Sequence, residues 1–406
     1  GKEARKKFRR YLKKKLRRGW AKMKIAIIDA DLIGRSKHRF PNLACEKISS
    51  YYKELGNEVI LKLDYENLEE YDRVYISKVF TDTIVPDWIS ENVNTETGVV
   101  NLPEYYYIGG TGFFFDKAPG LPEEIEHHMP DYHLYDEWIE SKCVDAEEDT
   151  VKQGKVFDRK AYLRKFKEYT EYSIGFMTRG CFRKCPFCVN QKYDRVFLHS
   201  PLEEFYDSER KKICLLDDNI LGCPEWKSIL NTLIGTGKPF KFKQGLDERI
   251  LTDEKCEMLF NANYDGEYIF AFDNIADYEL IQRKLEMVRR HTDKRIMFYV
   301  LSGFESTDIA DIESVFKRIE LLMKYKCLPY IMRYQNKNET PWKLFEMKGM
   351  YISLARWCNQ PSLFKRKSFR EYSQMKGNKA TARYLTEFEK RYPQIAEKYF
   401  DIKWNK

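Results

Sequence analysis

Cys181, Cys185 and Cys188 fall within eight residues of one another in the stretch RGCFRKCPFCVNQ, in a chain of 406 residues with ten cysteines. Three thiolates so close together are soft ligands for a metal centre. A disulfide between two of them leaves the third odd. A structural zinc site takes four protein ligands, and the six histidines lie at 38, 127, 128, 133, 199 and 291, so only His199 stands near. A cubane [4Fe–4S] cluster matches the count: three thiolates hold three irons, and the fourth iron is open to a ligand from outside the protein. The spacing C-x3-C-x2-C lets one turn of backbone wrap such a cluster, and Arg179, Arg183 and Lys184 supply cations against its negative charge. Cys45, Cys143, Cys214, Cys223, Cys256, Cys327 and Cys358 are scattered singly. That spacing does not read as a disulfide framework and suits small buried thiols.

The elements that position this loop can be read from hydrophobic periodicity. YSIGFMTRG (172–180) is an apolar strand running straight into it. Five further strand runs follow, KICLLD (212–217), FKFKQGL (240–246), EYIFAF (267–272), RIMFYVL (295–301) and LPYIMRY (328–334), separated by helical patterns that begin with SPLEEFYDSER. Six β/α units over residues 171–335 predict a partial (β/α)6 barrel, in which chemistry sits at the carboxyl ends of the strands. Ahead of it, KIAIIDA (24–30), EVILKL (58–63), RVYISKVF (73–80) and EYYYIGG (104–110) are strands, and NLACEKISSYYKELG (42–56) has helical spacing and stops at Gly56. The expectation is an α/β protein with a Rossmann-like parallel-sheet domain over 23–138, whose carboxyl edge carries residues 29–39 and the turn GGTG (109–112). Residues 139–170 read as a linker with one exposed helix, and 336–406 as a helical C-terminal cap.

Charge is concentrated at one end. Residues 1–22 hold twelve of the 71 Lys/Arg and one of the 63 Asp/Glu, so the remainder, 59 basic against 62 acidic, is nearly balanced. This gives no support to a broad nucleic-acid footprint on the globular part. The basic segment, with Phe8, Leu12, Leu16 and Trp20 at four-residue spacing, could meet RNA or an anionic surface as an amphipathic helix, or serve only as a flexible extension ahead of Met23. No run reaches the length of a membrane span, and a cytoplasmic location is expected.

The cysteine spacing, with Phe187 just before the third cysteine and six β/α units around it, resembles the radical S-adenosylmethionine (SAM) superfamily. The resemblance covers about 171–335. It implies that Cys181, Cys185 and Cys188 ligate the cluster, that SAM chelates the open iron, and that Phe187 meets the adenine. The family's Gly-Gly-Glu-like motif after the second strand is replaced here by LLDDNILG, which implies Asp217 or Asp218 as the contact to the SAM amino group. Gln244, Asp273, Asn274 and Ser302 hold strand ends that in the family meet the methionine and ribose, although each residue type also suits a cap or turn. A reductant such as flavodoxin or ferredoxin is the implied partner. The first domain resembles the cobalamin-binding-type domain of the cobalamin-dependent branch, which makes a cobalamin-dependent methyltransferase one alternative. The loop DADLIGRSKHRFPN lacks that branch's Asp-x-His-x-x-Gly, His38 is out of register, and Phe113, Phe114 and Phe115 are bulky enough to fill the cofactor's place. A metal-bearing nucleic-acid-binding module led by residues 2–22 is the non-enzymatic alternative.

Overall fold

The computed structural model describes residues 22–35, 40–190, 192–334 and 346–404. The basic extension, except for Lys22, and His38 lie outside the described residues. The chain divides into two compact units, one of residues 1–175 and 202–211, the other of 176–201 and 212–406. It is an α/β protein with parallel sheets, and no sheet closes on itself among the described residues.

In the first unit β1 (Lys24–Asp29), β2 (Glu58–Leu61), β3 (Arg73–Ser77) and β4 (Tyr106–Gly109) form a parallel sheet in the order β2-β1-β3-β4. Ile27 pairs with Leu61 on one side and Tyr75 on the other. Helix α1 (Leu43–Glu54) is capped by Asn42, whose side chain accepts from the Cys45 amide, and Gly56 follows at φ +82, a left-handed turn that ends the helix. Alternation along β1 buries Ile25 and Ile27 with Cys45, Ile48 and Tyr52 on one face, and Ala26 and Ile28 with Val74, Ile76, Phe113 and Phe114 on the other.

The stretch read as a linker is part of this core. Helix α2 (Asp136–Lys152) and the short helical pieces after it bring Ile139, Phe166 and Tyr169 against Tyr135 and Ile27. The expected helix over 200–210 is reduced to one turn, Leu202–Glu204, because Phe205 leaves the helical path to pack on Gly175.

The carboxyl edge of the sheet is filled by the chain itself. Tyr135 donates to Asp29 at 2.9 Å and accepts from the Asn42 amide at 3.0 Å, and the Asn42 amide group donates to Ser77 at 2.9 Å. Asp31 receives the Val79 and Phe80 amides and the Thr83 hydroxyl. Phe113 and Phe114 are core side chains, and Phe115 points outward. Gly110, at φ +102, lies so close to strand β3 that a Cβ would stand 2.2 Å from the Lys78 carbonyl oxygen. Gly110→Ala is therefore expected to cost about 2–4 kcal/mol, from strain and from displacement of the turn. Denaturant unfolding checks this, and a loss under about 0.5 kcal/mol would mean the turn is free to move.

The second unit opens with a two-residue hairpin, β6 (Thr178–Arg179) antiparallel to β7 (Phe197–Leu198), following the short β5 (Tyr172–Gly175) of the first unit. Then come β8 (Lys212–Leu215) paired in parallel with β9 (Phe240–Phe242), and β10 (Tyr268–Ala271), β11 (Ile296–Ser302) and β12 (Leu328–Arg333), also parallel. Single parallel bridges, Phe240 to Tyr264 and Leu246 to Phe270, join the two groups. Helices α3 (Trp226–Gly235), α4 (Asp253–Asn261), α5 (Tyr278–His291) and α6 (Ile309–Lys324) alternate with these strands as the periodicity predicts. One strand face packs on them: Tyr268 meets Phe260 of α4 and Phe272 meets Tyr278 of α5. Beyond residue 346 the chain is helical, with α7 (Lys348–Cys358) and α8 (Lys379–Arg391) the longest pieces. Tyr399 stacks on Phe316 of α6, and Phe369 and Phe400 meet the same ring edge-on and tilted. Among the described residues, no helix is long and apolar enough to cross a membrane.

Candidate active site

The cysteine loop is pinned at both ends by carboxylates from the end of β8. Asp217, almost fully buried, receives the Met177 amide at 3.3 Å, the Thr178 hydroxyl at 2.6 Å and the Thr178 amide. Asp218 receives the Gly180 amide at 3.0 Å on the incoming side and the Asn190 side-chain amide on the outgoing side. Burial pushes Asp217 up to about 6, against the pull of its Thr178 bonds, and raises Asp218 as well. Gly180 at φ +88 passes so near the Arg195 carbonyl that a Cβ would stand 2.3 Å from it, which lets the loop cross its own return strand.

Within the loop all three thiols are partly exposed, and none of the ten cysteines is in a disulfide. The Arg183 amide donates to the Cys181 sulfur at 3.3 Å and the Asn190 amide to the Cys188 sulfur at 3.4 Å. Asn219, next after Asp218, offers its side-chain amide to the Cys181 sulfur at 3.4 Å. Its carbonyl oxygen Oδ1 is buried with no partner among the described residues. Burial pushes the Cys185 and Cys188 thiols up; Arg249 opposes this at Cys185 and the Asn190 amide opposes it at Cys188. Among the described residues, no three His, Cys, Asp or Glu side chains form a group that could hold a metal ion, His199 included. Three thiols thus lie on one irregular loop, with amide donors aimed at two of their sulfurs.

Beside the loop lies a cavity of about 120 Å³ lined by Phe187, Asp273, Asn274, Leu301, Phe304 and Arg318, among others. Phe187 meets Phe304 edge to face at 5.4 Å. The buried guanidinium of Arg318 donates at 2.9 Å to the carbonyls of Phe272, Asp273 and Leu301, bracing the ends of β10 and β11. Asp273 accepts from the Leu301 amide at 3.0 Å, and burial raises its carboxyl. Asn274 donates to Glu305 at 3.1 Å and caps the turn at Ala276.

The predicted residues thus divide. Cys181, Cys185 and Cys188 share one loop, and Phe187, Asp273 and Asn274 share the cavity. Asp217 and Asp218 have their oxygens occupied by the loop itself. Ser302 is buried, and its hydroxyl bonds the Met332 carbonyl across the sheet. Gln244 is exposed on the bend after β9. Sequence reasoning passed over Asn219, the third polar residue of LLDDNILG, although its place at a strand end was visible. It also passed over Arg318, which sits mid-helix with no local signal.

Glu248 is a second buried carboxyl here. Its Oε2 accepts from the Ala271 amide at 3.3 Å and Oε1 has no partner among the described residues. Burial, followed by the charge of Asp247, pushes it up to about 8. A carboxyl raised on folding contributes most below its unfolded value, near 4.5, and that stability is lost as pH rises to about 8. Glu248→Gln is expected to flatten this slope, gaining about 2–4 kcal/mol on wild type between pH 5 and 9. Denaturant midpoints across that range check it, and an unchanged slope would rule it out. No protein-family model matches this chain, and no curated protein matches it at a significant level.

Proposed function

We propose that the chain is a radical SAM enzyme whose cluster is held by Cys181, Cys185 and Cys188, with the second unit as a partial barrel around it. The parallel strands β8 to β12, linked in sequence order by pairs and single bridges, support that reading of the fold. The observation that carries it is the loop itself: three partly exposed thiols, two of whose sulfurs receive amide hydrogen bonds, beside a buried acceptor that has no partner among the described residues.

Cys181, Cys185 and Cys188 would hold a [4Fe–4S] cluster, which would supply one electron, taken from a flavodoxin- or ferredoxin-type donor, for reductive cleavage of SAM to methionine and a 5′-deoxyadenosyl radical able to take hydrogen from a substrate. The protein's part is to bind and orient. Asn219 Oδ1, beside Cys181, is suited to receive the SAM amino group, the role the sequence had implied for Asp217 or Asp218. Phe187 and Phe304 offer rings for the adenine, and Asp273 and Asn274 offer polar atoms for the ribose. Asp217 and Asp218 hold the loop's two ends so that the thiols stay gathered as the cofactor comes and goes.

Anaerobic reconstitution with iron and sulfide tests the reading. About four irons and four acid-labile sulfides per chain are expected. A protein that instead retains zinc and no sulfide would overturn it.

A further inference from the structure

Asp247 follows the strand-like run at Leu246 and lies nearly out of solvent. Its Oδ2 receives Arg183 Nε at 2.8 Å and Asn219 Nδ2 at 3.4 Å. Its Oδ1 receives Arg249 Nε at 2.8 Å and the Arg249 amide at 3.3 Å. Arg249 continues to Asp277 at 3.0 Å, and Asn219 continues to the Cys181 sulfur at 3.4 Å. One carboxylate therefore ties together the cysteine loop, the segment after β8, its own segment after β9 and the turn after β10. We infer that Asp247 is a positioning residue for the cysteine loop, setting where Arg183, Arg249 and the Asn219 amide stand relative to the thiols.

The inference rests on the cluster reading for its purpose and on these bonds for its geometry. Arg183 lies between Cys181 and Cys185 in the chain, so fixing its guanidinium fixes the backbone whose amide donates to Cys181. Bonds of this kind, with both partners charged and one nearly buried, are about twice as strong as neutral ones. Burial alone would raise Asp247, yet the hydrogen bonds from Arg249 and Arg183 hold it below the usual carboxylate range. With Asp247 ionised, both guanidiniums are anchored on the thiol side of the strand ends. Without it, Arg183 is held by no other carboxylate that pairs with it among the described residues.

The test uses the full chain as Asp247→Asn, Arg183→Gln and the double variant. Two readouts are taken: alkylation rates of Cys181, Cys185 and Cys188 in the cluster-free protein, and loss of iron to a chelator with the reduced cluster's electron paramagnetic resonance after reconstitution. Each single variant is expected to alkylate and to lose iron about 10-fold faster, with an altered resonance. The double variant should add nothing, since both changes break the same tie. The main melting transition should hold in Arg183→Gln, whose side chain is about a third exposed. That variant decides the matter if Asp247→Asn fails to fold. Rates equal to wild type, or additive effects, would overturn the inference. Wild type that takes up no iron and sulfide would sink the cluster reading instead, and the alkylation rates would still decide the role of Asp247.

Discussion

Cys185→Ala is expected to abolish retention of iron and sulfide and to lower 5′-deoxyadenosine production by more than about 100-fold, while leaving the fold intact. In the proposed site Cys185 would be the middle ligand of three, and its loss would leave a cubane with two irons lacking a protein thiolate. Loss of a single supporting hydrogen bond typically costs a metal site 10- to 100-fold, so loss of a ligand costs more. The fold should be indifferent, because the Cys185 side chain is only partly buried and fills no core; a change under about 1 kcal/mol is expected. Cys256→Ala is the matched control. That thiol is fully buried in α4, away from the loop, so the variant should lose some stability and keep its iron. If Cys185→Ala binds iron as wild type does, the ligand assignment is wrong.

Arg318→Met is expected to be the most destabilising of the substitutions considered, at about 3–5 kcal/mol, and to remove the cavity beside the loop. Arg318 is 1% exposed, and its guanidinium serves the carbonyls of Phe272, Asp273 and Leu301. Methionine fills much of the volume but donates nothing, so one buried and two partly buried carbonyls lose their donor together. The ends of β10 and β11 would then part, and with them Asp273 and the Leu301 amide that it holds. Arg318→Lys should fall between, since an ammonium keeps the charge and its donors but must reach, on a shorter stem, the point from which Nη1 serves all three carbonyls. Urea unfolding measures both, and a loss below about 1 kcal/mol for the methionine variant would show that the carbonyls find other partners.

Periodicity made the strands legible. Apolar runs of six to eight residues bounded by turn residues appear as β1 to β4 and β8 to β12, most ends falling within two residues, while β3 stops three residues early and β9 four. Periodicity misplaced the segments whose apolar residues are used over long distances. Residues 139–170 look polar in sequence, yet Ile139, Phe166 and Tyr169 have partners in α1 and β1 that no local window contains. Phe205 likewise is drawn to Gly175 and not along a helix. In the site, cysteine spacing is a local signal and was readable. The roles of Asp217, Asp218 and Asn219 are not local: which of three adjacent polar residues keeps an open acceptor depends on where Thr178, Gly180 and Asn190 come to lie. The tie of Asp247 to Arg183 spans 64 positions and leaves no mark in either segment.

The most direct measurement is made anaerobically on the reconstituted chain, with SAM and a strong one-electron reductant, quantifying 5′-deoxyadenosine and S-adenosylhomocysteine together. A radical SAM enzyme with one cluster yields 5′-deoxyadenosine that depends on the reductant and disappears in Cys185→Ala, without S-adenosylhomocysteine. Added S-adenosylhomocysteine would point to methyl transfer. A chain that holds its full complement of iron and sulfide and still forms no 5′-deoxyadenosine would contradict the proposed function outright.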